Sequence, residues 1–275
     1  MSKVFEALRQ AERGETPDRG LAASPTSRES FLGFQEQHRP FERALQPGLM
    51  SPRLVAARDP HSFSAEKFRV LSTQLKHLQA RTPLKKLLIG SSVADEGKTV
   101  IAANLAVTLA AMEQKVVLLA GDMRCPTLNQ VLGLDHPEGL AEYLEGTKPL
   151  DNFVYRLEIL KLWYLPVGNA PYQGLQLLQS GRIAKLLAQL TEWFDWVIID
   201  SPPLLPLADA SMWARMSDGT LLVVRDGRTP KKLLQKAIER LAEATLLGVV
   251  LNDCAANQDN YFKKYCLQEA AGHNQ

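Results

Sequence analysis

Leu87-Leu88-Ile89-Gly90-Ser91-Ser92-Val93-Ala94-Asp95-Glu96-Gly97-Lys98-Thr99 passes from an apolar run, through a small polar loop, into a helix-forming segment. The apolar run predicts a buried strand over 86–89, and the residues beyond the loop predict a helix over 99–112. A loop in this setting wraps an anion when its backbone N–H groups converge, and a residue without Cβ (Gly97) lets the anion come close. Lys98 then supplies charge for the β- and γ-phosphates and the Thr99 hydroxyl a magnesium ligand, while the helix turns its positive end to the same place. Asp95, Glu96 and Val100 complete the candidate nucleotide-binding set, and the expected ligands are ATP and Mg2+. The strict spacing G-x-x-x-x-G-K-[ST] is not met, because Ser92 stands at the first glycine position.

Outward from this loop the chain alternates strands with helices. Further strands are expected at 116–120, 162–167, 196–200, 221–224 and 249–251, all continuous apolar runs. Such runs, unlike polar/apolar alternation, belong to strands covered on both faces. Helices are expected at 64–79, 181–193, 206–214 and 231–244. The pattern implies an α/β fold, a doubly wound and mainly parallel sheet with helices on both faces, binding its ligand at the carboxyl ends of the strands.

Two of these strands end in a carboxylate. Val116-Val117-Leu118-Leu119-Ala120-Gly121-Asp122 brings Asp122 to one strand end, and Trp196-Val197-Ile198-Ile199-Asp200 brings Asp200 to another. In a sheet of this kind both lie beside the phosphate loop, where they hold magnesium directly or through water. Gly121-Asp122 also reads as a simple turn. Arg124 either contacts phosphate or pairs locally, and Asp209 reads first as a structural residue.

Composition narrows the function classes. The chain has 275 residues, 45% hydrophobic and 23% charged, with a formal net charge of +2, so no strong field points to nucleic acid or anionic lipid. Three cysteines without C-x-x-C spacing argue against a disulfide framework and a zinc site and fit a reducing cytoplasm. No run approaches the ~18 apolar residues that span a bilayer. Residues 1–13 are expected to form a short amphipathic helix, with Val4, Phe5, Leu8 and Ala11 on one face, that either docks a partner or frays. Residues 14–61, rich in Pro, Ser, Arg, Glu and Gln, are expected as a disordered linker to a domain over 62–257, with a flexible tail at 258–275.

Several separate stretches together resemble one family. They are Glu66-Lys67-Phe68-Arg69, Asp95-Glu96-Gly97-Lys98-Thr99, Ala103-Asn104-Leu105-Ala106, Gly121-Asp122-Met123-Arg124-Cys125-Pro126, Asp195 to Pro203, and Gly248-Val249-Val250-Leu251-Asn252. Over 64–265 the chain resembles the cytoplasmic tyrosine autokinases of bacterial exopolysaccharide systems, the BY-kinase or CpsD/CapB group that includes the Wzc-like kinase domains. The resemblance implies a P-loop NTPase of the deviant Walker, MinD/ParA-like type that moves the γ-phosphoryl of ATP to tyrosine. It implies Lys98, Asp122 and Asp200 as catalytic residues, Asn252 as a contact to the adenine, and Tyr261 and Tyr265 as phosphoacceptors in the tail. It also implies homo-oligomers joined through Glu66 and Arg69. An activating membrane polysaccharide co-polymerase would place the chain in the cytoplasm, peripheral to the inner membrane.

Three features depart from the family pattern. Ala120 replaces the first aspartate of Asp-x-Asp, the residue credited with activating the tyrosine hydroxyl, which implies weakened activity with Asp122 partly substituting. Ser72 replaces the second arginine of the family's E-x-x-R-x-x-R element. The tail holds two tyrosines rather than a dense cluster, and their i, i+4 spacing equally suits packing in a short helix. The alternative functions are an ATP-binding regulatory subunit that phosphorylates poorly, and a MinD/ParA-type positioning ATPase. The latter carries a second lysine five residues before the main one, where this chain has Val93.

Overall fold

The computed structural model describes residues 43–146, 148–169, 181–205 and 208–254. The chain divides into Met1–Pro40 and Phe41–Gln275, and every described residue belongs to the second unit. The expected helix at 1–13 and the tail at 258–275, with Tyr261 and Tyr265, lie outside the described residues.

The sheet has seven strands among the described residues: β1 (Lys86–Ser91), β2 (Val116–Ala120), β3 (Tyr155–Leu157), β4 (Leu162–Leu165), β5 (Trp196–Asp200), β6 (Gly219–Arg225) and β7 (Leu246–Asn252). Their order is β3-β4-β2-β5-β1-β6-β7, and every neighbouring pair is parallel except β3 with β4. β1, β2 and β5 are buried over nearly their whole lengths, as continuous apolar runs demand when helices lie on both faces. From β1 the chain crosses to β2 on one side, and from β5 it crosses over β1 to β6 on the other. The carboxyl ends of the central strands therefore open a crevice where the winding reverses.

Helices α1 (Val55–Arg58), α2 (Phe63–Gln79), α3 (Lys98–Ala111), α4 (Leu128–Leu132), α5 (Leu140–Glu145), α6 (Arg182–Trp193), α7 (Ala208–Met216) and α8 (Lys231–Arg240) complete the layers. α3 follows the phosphate loop and is buried over Ile101–Ala110, because it lies between the sheet and α2. Ser62 caps α2 by accepting a hydrogen bond from Ala65 N at 3.2 Å, which fixes where that helix starts. The expected helices thus stand within a few residues, whereas α1, α4, α5 and β3 have no counterpart in the sequence reading. They are only three to six residues long, too short to show a period.

The described residues also correct the linker boundary. Residues 43–61, expected to be disordered, pack on the body: Leu54 is fully buried, and Leu45 and Met50 lie against the core. Ala44 bridges to Arg156 beside β3, Gly48 N donates to Gly133 O at 2.7 Å, and Ser51 N donates to Val131 O at 3.0 Å. Three apolar residues at irregular spacing carry this contact. The polar composition between them hides it from any periodic reading.

Candidate functional site

Gly97 is the hinge of the loop between β1 and α3. Its φ is +92°, in the left-handed region, and a Cβ there would collide with the Asn252 carboxamide. Glycine alone meets both conditions without strain. Asn252, at the end of β7, donates from Nδ2 to Glu96 O at 2.9 Å, which binds the loop to the far edge of the sheet. The Asn252 side chain thus lines the cavity at its expected place but is already engaged with the loop backbone.

Glu96 turns away from the cavity. Its Oε2 accepts from Ser92 N at 2.6 Å and Val93 N at 3.2 Å, and its Oε1 accepts from Thr229 Oγ1 at 2.5 Å. A buried carboxylate bound by two loop amides and a hydroxyl fixes the loop's curvature, so Glu96 supports the site through its contacts with the loop. Asp95, exposed with φ +62°, and Val100 remain on the cavity wall.

Lys98, Thr99, Asp122 and Asp200 converge below the loop. Lys98 Nζ lies 3.2 Å from Asp122 Oδ2, with both side chains nearly buried. Asp122 Oδ1 accepts from Arg124 N at 3.3 Å and Cys125 N at 3.1 Å, so the backbone turn after β2 orients this carboxylate. Asp200 ends β5, is buried, and its Oδ1 has no hydrogen-bond partner among the described residues. Its carboxyl is raised from 3.8 to about 7, because burial, with a small addition from Asp122, outweighs the lowering by Lys98 and by a hydrogen bond with Thr99. An orphaned buried carboxylate oxygen, a second carboxylate and a threonine hydroxyl are hard oxygen donors, a set that suits magnesium. Thr127 Oγ1 donates to Thr99 Oγ1 at 3.3 Å from across the loop after β2.

Ala120 pairs in register with Asp200. Paired residues on neighbouring parallel strands point to the same face, so an aspartate at 120 would stand beside Asp200. Gly121 permits this close packing, since a Cβ there would meet Asp200 O, the Trp213 ring and Ile199. Arg124 pairs with Asp209 through Nε–Oδ2 at 2.9 Å, and its side chain also lines the cavity.

Among the described residues, Lys98, Thr99, Asp122, Arg124 and Asn252 open onto one cavity of about 1280 Å3 at the carboxyl ends of the strands. Glu66 and Arg69 sit apart, on α2. Arg69 Nε donates to Glu66 Oε2 at 2.6 Å and its Nη1 donates to Pro60 O at 2.7 Å, both side chains being partly exposed. Ser72 is buried on the same helix with its hydroxyl unpartnered among the described residues. The sequence reading missed Thr229, Thr127 and the Asn104 side chain as parts of the site. Only Asn104 left a signal, as part of the Ala103–Ala106 motif.

Comparison with known proteins accords with this geometry. Residues 84–272 match the ParA family model, described as NUBPL iron-transfer P-loop NTPase. The tyrosine-protein kinase YwqD of Bacillus subtilis is 32% identical over 205 residues, which span 74% of this chain and 86% of that protein. The succinoglycan biosynthesis transport protein ExoP of Rhizobium meliloti is 35% identical over 204 residues, covering 72% of this chain but only 26% of that protein. Among solved structures, the chimerical protein CapA2B2 superposes with a TM-score of 0.70 at 30% identity, over 82% of this chain and 97% of that one. With the Lys98, Asp122 and Asp200 cluster at the carboxyl ends of a mainly parallel sheet, the chain belongs to the bacterial tyrosine-protein kinases, built on the ParA-type P-loop NTPase fold.

Proposed function

We propose that this chain is an ATP-dependent protein-tyrosine autokinase that regulates exopolysaccharide polymerisation and export. The observation that carries the reading is the convergence of Lys98, Thr99, Asp122 and Asp200 in one nearly buried cluster under the loop, in a chain of this family. Phosphoryl transfer depends mainly on positioning and on neutralising charge, and these residues do both. The amides at the start of α3 bind the phosphates, Lys98 faces the γ-phosphoryl, and Asp122 orients Lys98 through their ion pair. Thr99, Asp122 and Asp200 would hold magnesium, which supplies charge neutralisation on the phosphate oxygens. A bond forms from the tyrosine oxygen to the γ-phosphorus as the bond to the bridging β,γ-oxygen breaks, leaving ADP. Because Ala120 provides no carboxylate, the hydroxyl proton leaves to solvent water, with Asp122 substituting only in part as its acceptor.

The acceptors in this reading are Tyr261 and Tyr265. Asn252 offers its remaining carboxamide groups to the adenine, and Glu66 and Arg69 exchange their mutual pair for contacts with a second copy. A membrane co-polymerase of the chain-length-determinant type is the expected activator, which holds the kinase at the cytoplasmic face of the inner membrane. No helix among the described residues is long and apolar enough to cross a membrane. The name of ExoP, a transport protein of succinoglycan biosynthesis, supports the link to polysaccharide. One observation favours a second reading, an ATP-binding regulatory subunit with weak catalysis: Ala120 sits in register with Asp200, where a carboxylate would assist the acceptor.

Incubation with Mg-ATP, read by anti-phosphotyrosine blot and mass spectrometry, tests both readings. Wild type is expected to label at Tyr261 and Tyr265 and Lys98→Met to stay blank. Ala120→Asp is expected to label faster, since general-base help is worth about 10² to 10⁴ in rate where it operates fully. Nucleotide binding without phosphotyrosine, even with the activating segment present, would establish the regulatory reading instead.

A further inference from the structure

The cavity is not walled by the strand ends alone. Ser51, Arg53 and Val55, from the segment before α2, form part of its lining. This strap is fixed by one buried side chain: Asn104 of α3 accepts from Ala56 N through Oδ1 at 2.9 Å and donates from Nδ2 to Arg53 O at 2.9 Å. The Asn104 Nδ2 also donates to Val100 O at 2.8 Å, and the residue is wholly buried. Leu54, between the two pinned residues, is buried as well. The backbone of Arg53 is therefore held on both sides, and its exposed side chain leaves the strap at the cavity.

Charge pairing then singles out Arg53. Four basic residues line the cavity: Arg53, Lys98, Arg124 and Arg225. Lys98 faces Asp122, Arg124 is held by Asp209, and Arg225 pairs with Asp253 at 2.8 Å. Among the described residues Arg53 alone of these four has no carboxylate within ion-pair distance. It lies near enough to Asp253, across the cavity mouth, to help hold that carboxyl low, behind the stronger hydrogen bond and charge of Arg225. Its guanidinium is thus near the charged rim of the cavity, with its donors uncommitted to any carboxylate.

We infer that Arg53 is a nucleotide-binding residue that contacts the polyphosphate, presented at the cavity by a strap that Asn104 pins to α3. The inference rests on the reading that this cavity takes ATP. A guanidinium is suited to this task because its planar fork of donors matches phosphate oxygens. It follows that nucleotide binding tightens the strap on the body, since Arg53 gains a partner only when phosphate is present.

Calorimetric titration of wild type, Arg53→Ala, Arg53→Lys, Lys98→Met and the surface control Arg215→Ala with Mg-ATP and with magnesium tripolyphosphate tests the assignment. Arg53→Ala is expected to weaken both ligands about tenfold or more, the usual scale for a charge-assisted contact, with Arg53→Lys in between and Arg215→Ala equal to wild type. Because Arg53 is exposed, ligand-free thermal unfolding of Arg53→Ala is expected to match wild type. Wild-type affinity in Arg53→Ala would overturn the assignment while leaving the nucleotide reading intact. A loss seen with ATP but not with tripolyphosphate would overturn the phosphate contact. Absence of binding by wild type would overturn both readings together.

Discussion

At the residue scale, Asp200 carries the sharpest consequence. Its carboxyl titrates near 3.8 when solvated but at about 7 in the fold, because burial outweighs the opposing influences of Lys98 and Thr99. Between those values the folded chain keeps a proton that the unfolded chain has lost. Stability from this group is therefore full below about pH 4 and falls as pH rises through 7. A tenfold difference in proton affinity corresponds to about 1.4 kcal/mol, so the fall is on the order of 4 kcal/mol before relaxation and bound cation offset it. Thermal unfolding of the protein in chelator should show this decline between about pH 4 and 7 and level off above it, and Asp200→Asn should flatten it. Equal slopes in the two proteins would refute the assignment. Asp200 was legible in the sequence as an acid after four apolar residues; that it is buried with an orphaned oxygen was not.

At the scale of elements, the phosphate loop and the strap are held by different means. Glu96 closes the loop on itself and on Thr229, while Asn104 ties residues 53–56 across α3. In sequence Asn104 stands among Ala102, Ala103, Leu105 and Ala106, where a polar residue at a buried position has no visible partner. Its partners come from a segment about fifty residues earlier, outside any local pattern. Asn104→Ala leaves Arg53 O and Ala56 N without their partner, at a cost of about 1–3 kcal/mol. Denaturant unfolding should report that loss, and hydrogen exchange at Ala56 should quicken more than at the central strands. An unchanged Ala56 rate would show that the strap is held by packing alone.

At the scale of the whole molecule, the ordered body begins well before the helix that the sequence offered as its start. Leu45, Met50 and Leu54 join the core, and backbone hydrogen bonds from 45, 48 and 51 reach Arg156, Gly133 and Val131. Burying a leucine or methionine side chain is worth about 1.5–3 kcal/mol. A chain starting at residue 43 should therefore unfold at a clearly higher temperature than one starting at residue 59. Equal melting temperatures would mean that residues 43–58 add nothing to the fold. The polar composition of 14–61 concealed this, because a strap needs only a few anchoring side chains at irregular spacing.

The α/β architecture, the order of the main strands and helices, and the positions of Gly97, Lys98, Thr99, Asp122 and Asp200 were all legible in the residues alone. Those features follow from local composition: continuous apolar runs make covered strands, a glycine admits a left-handed turn, and a carboxylate ends a strand. Only the tertiary structure decided which groups meet. It put Asn252 against Gly97, turned Glu96 inward to Thr229, set Ala120 beside Asp200, and brought the strap with Arg53 to the cavity. Each of these joins residues distant in sequence, through side chains whose partners are fixed by packing and not by neighbouring residues.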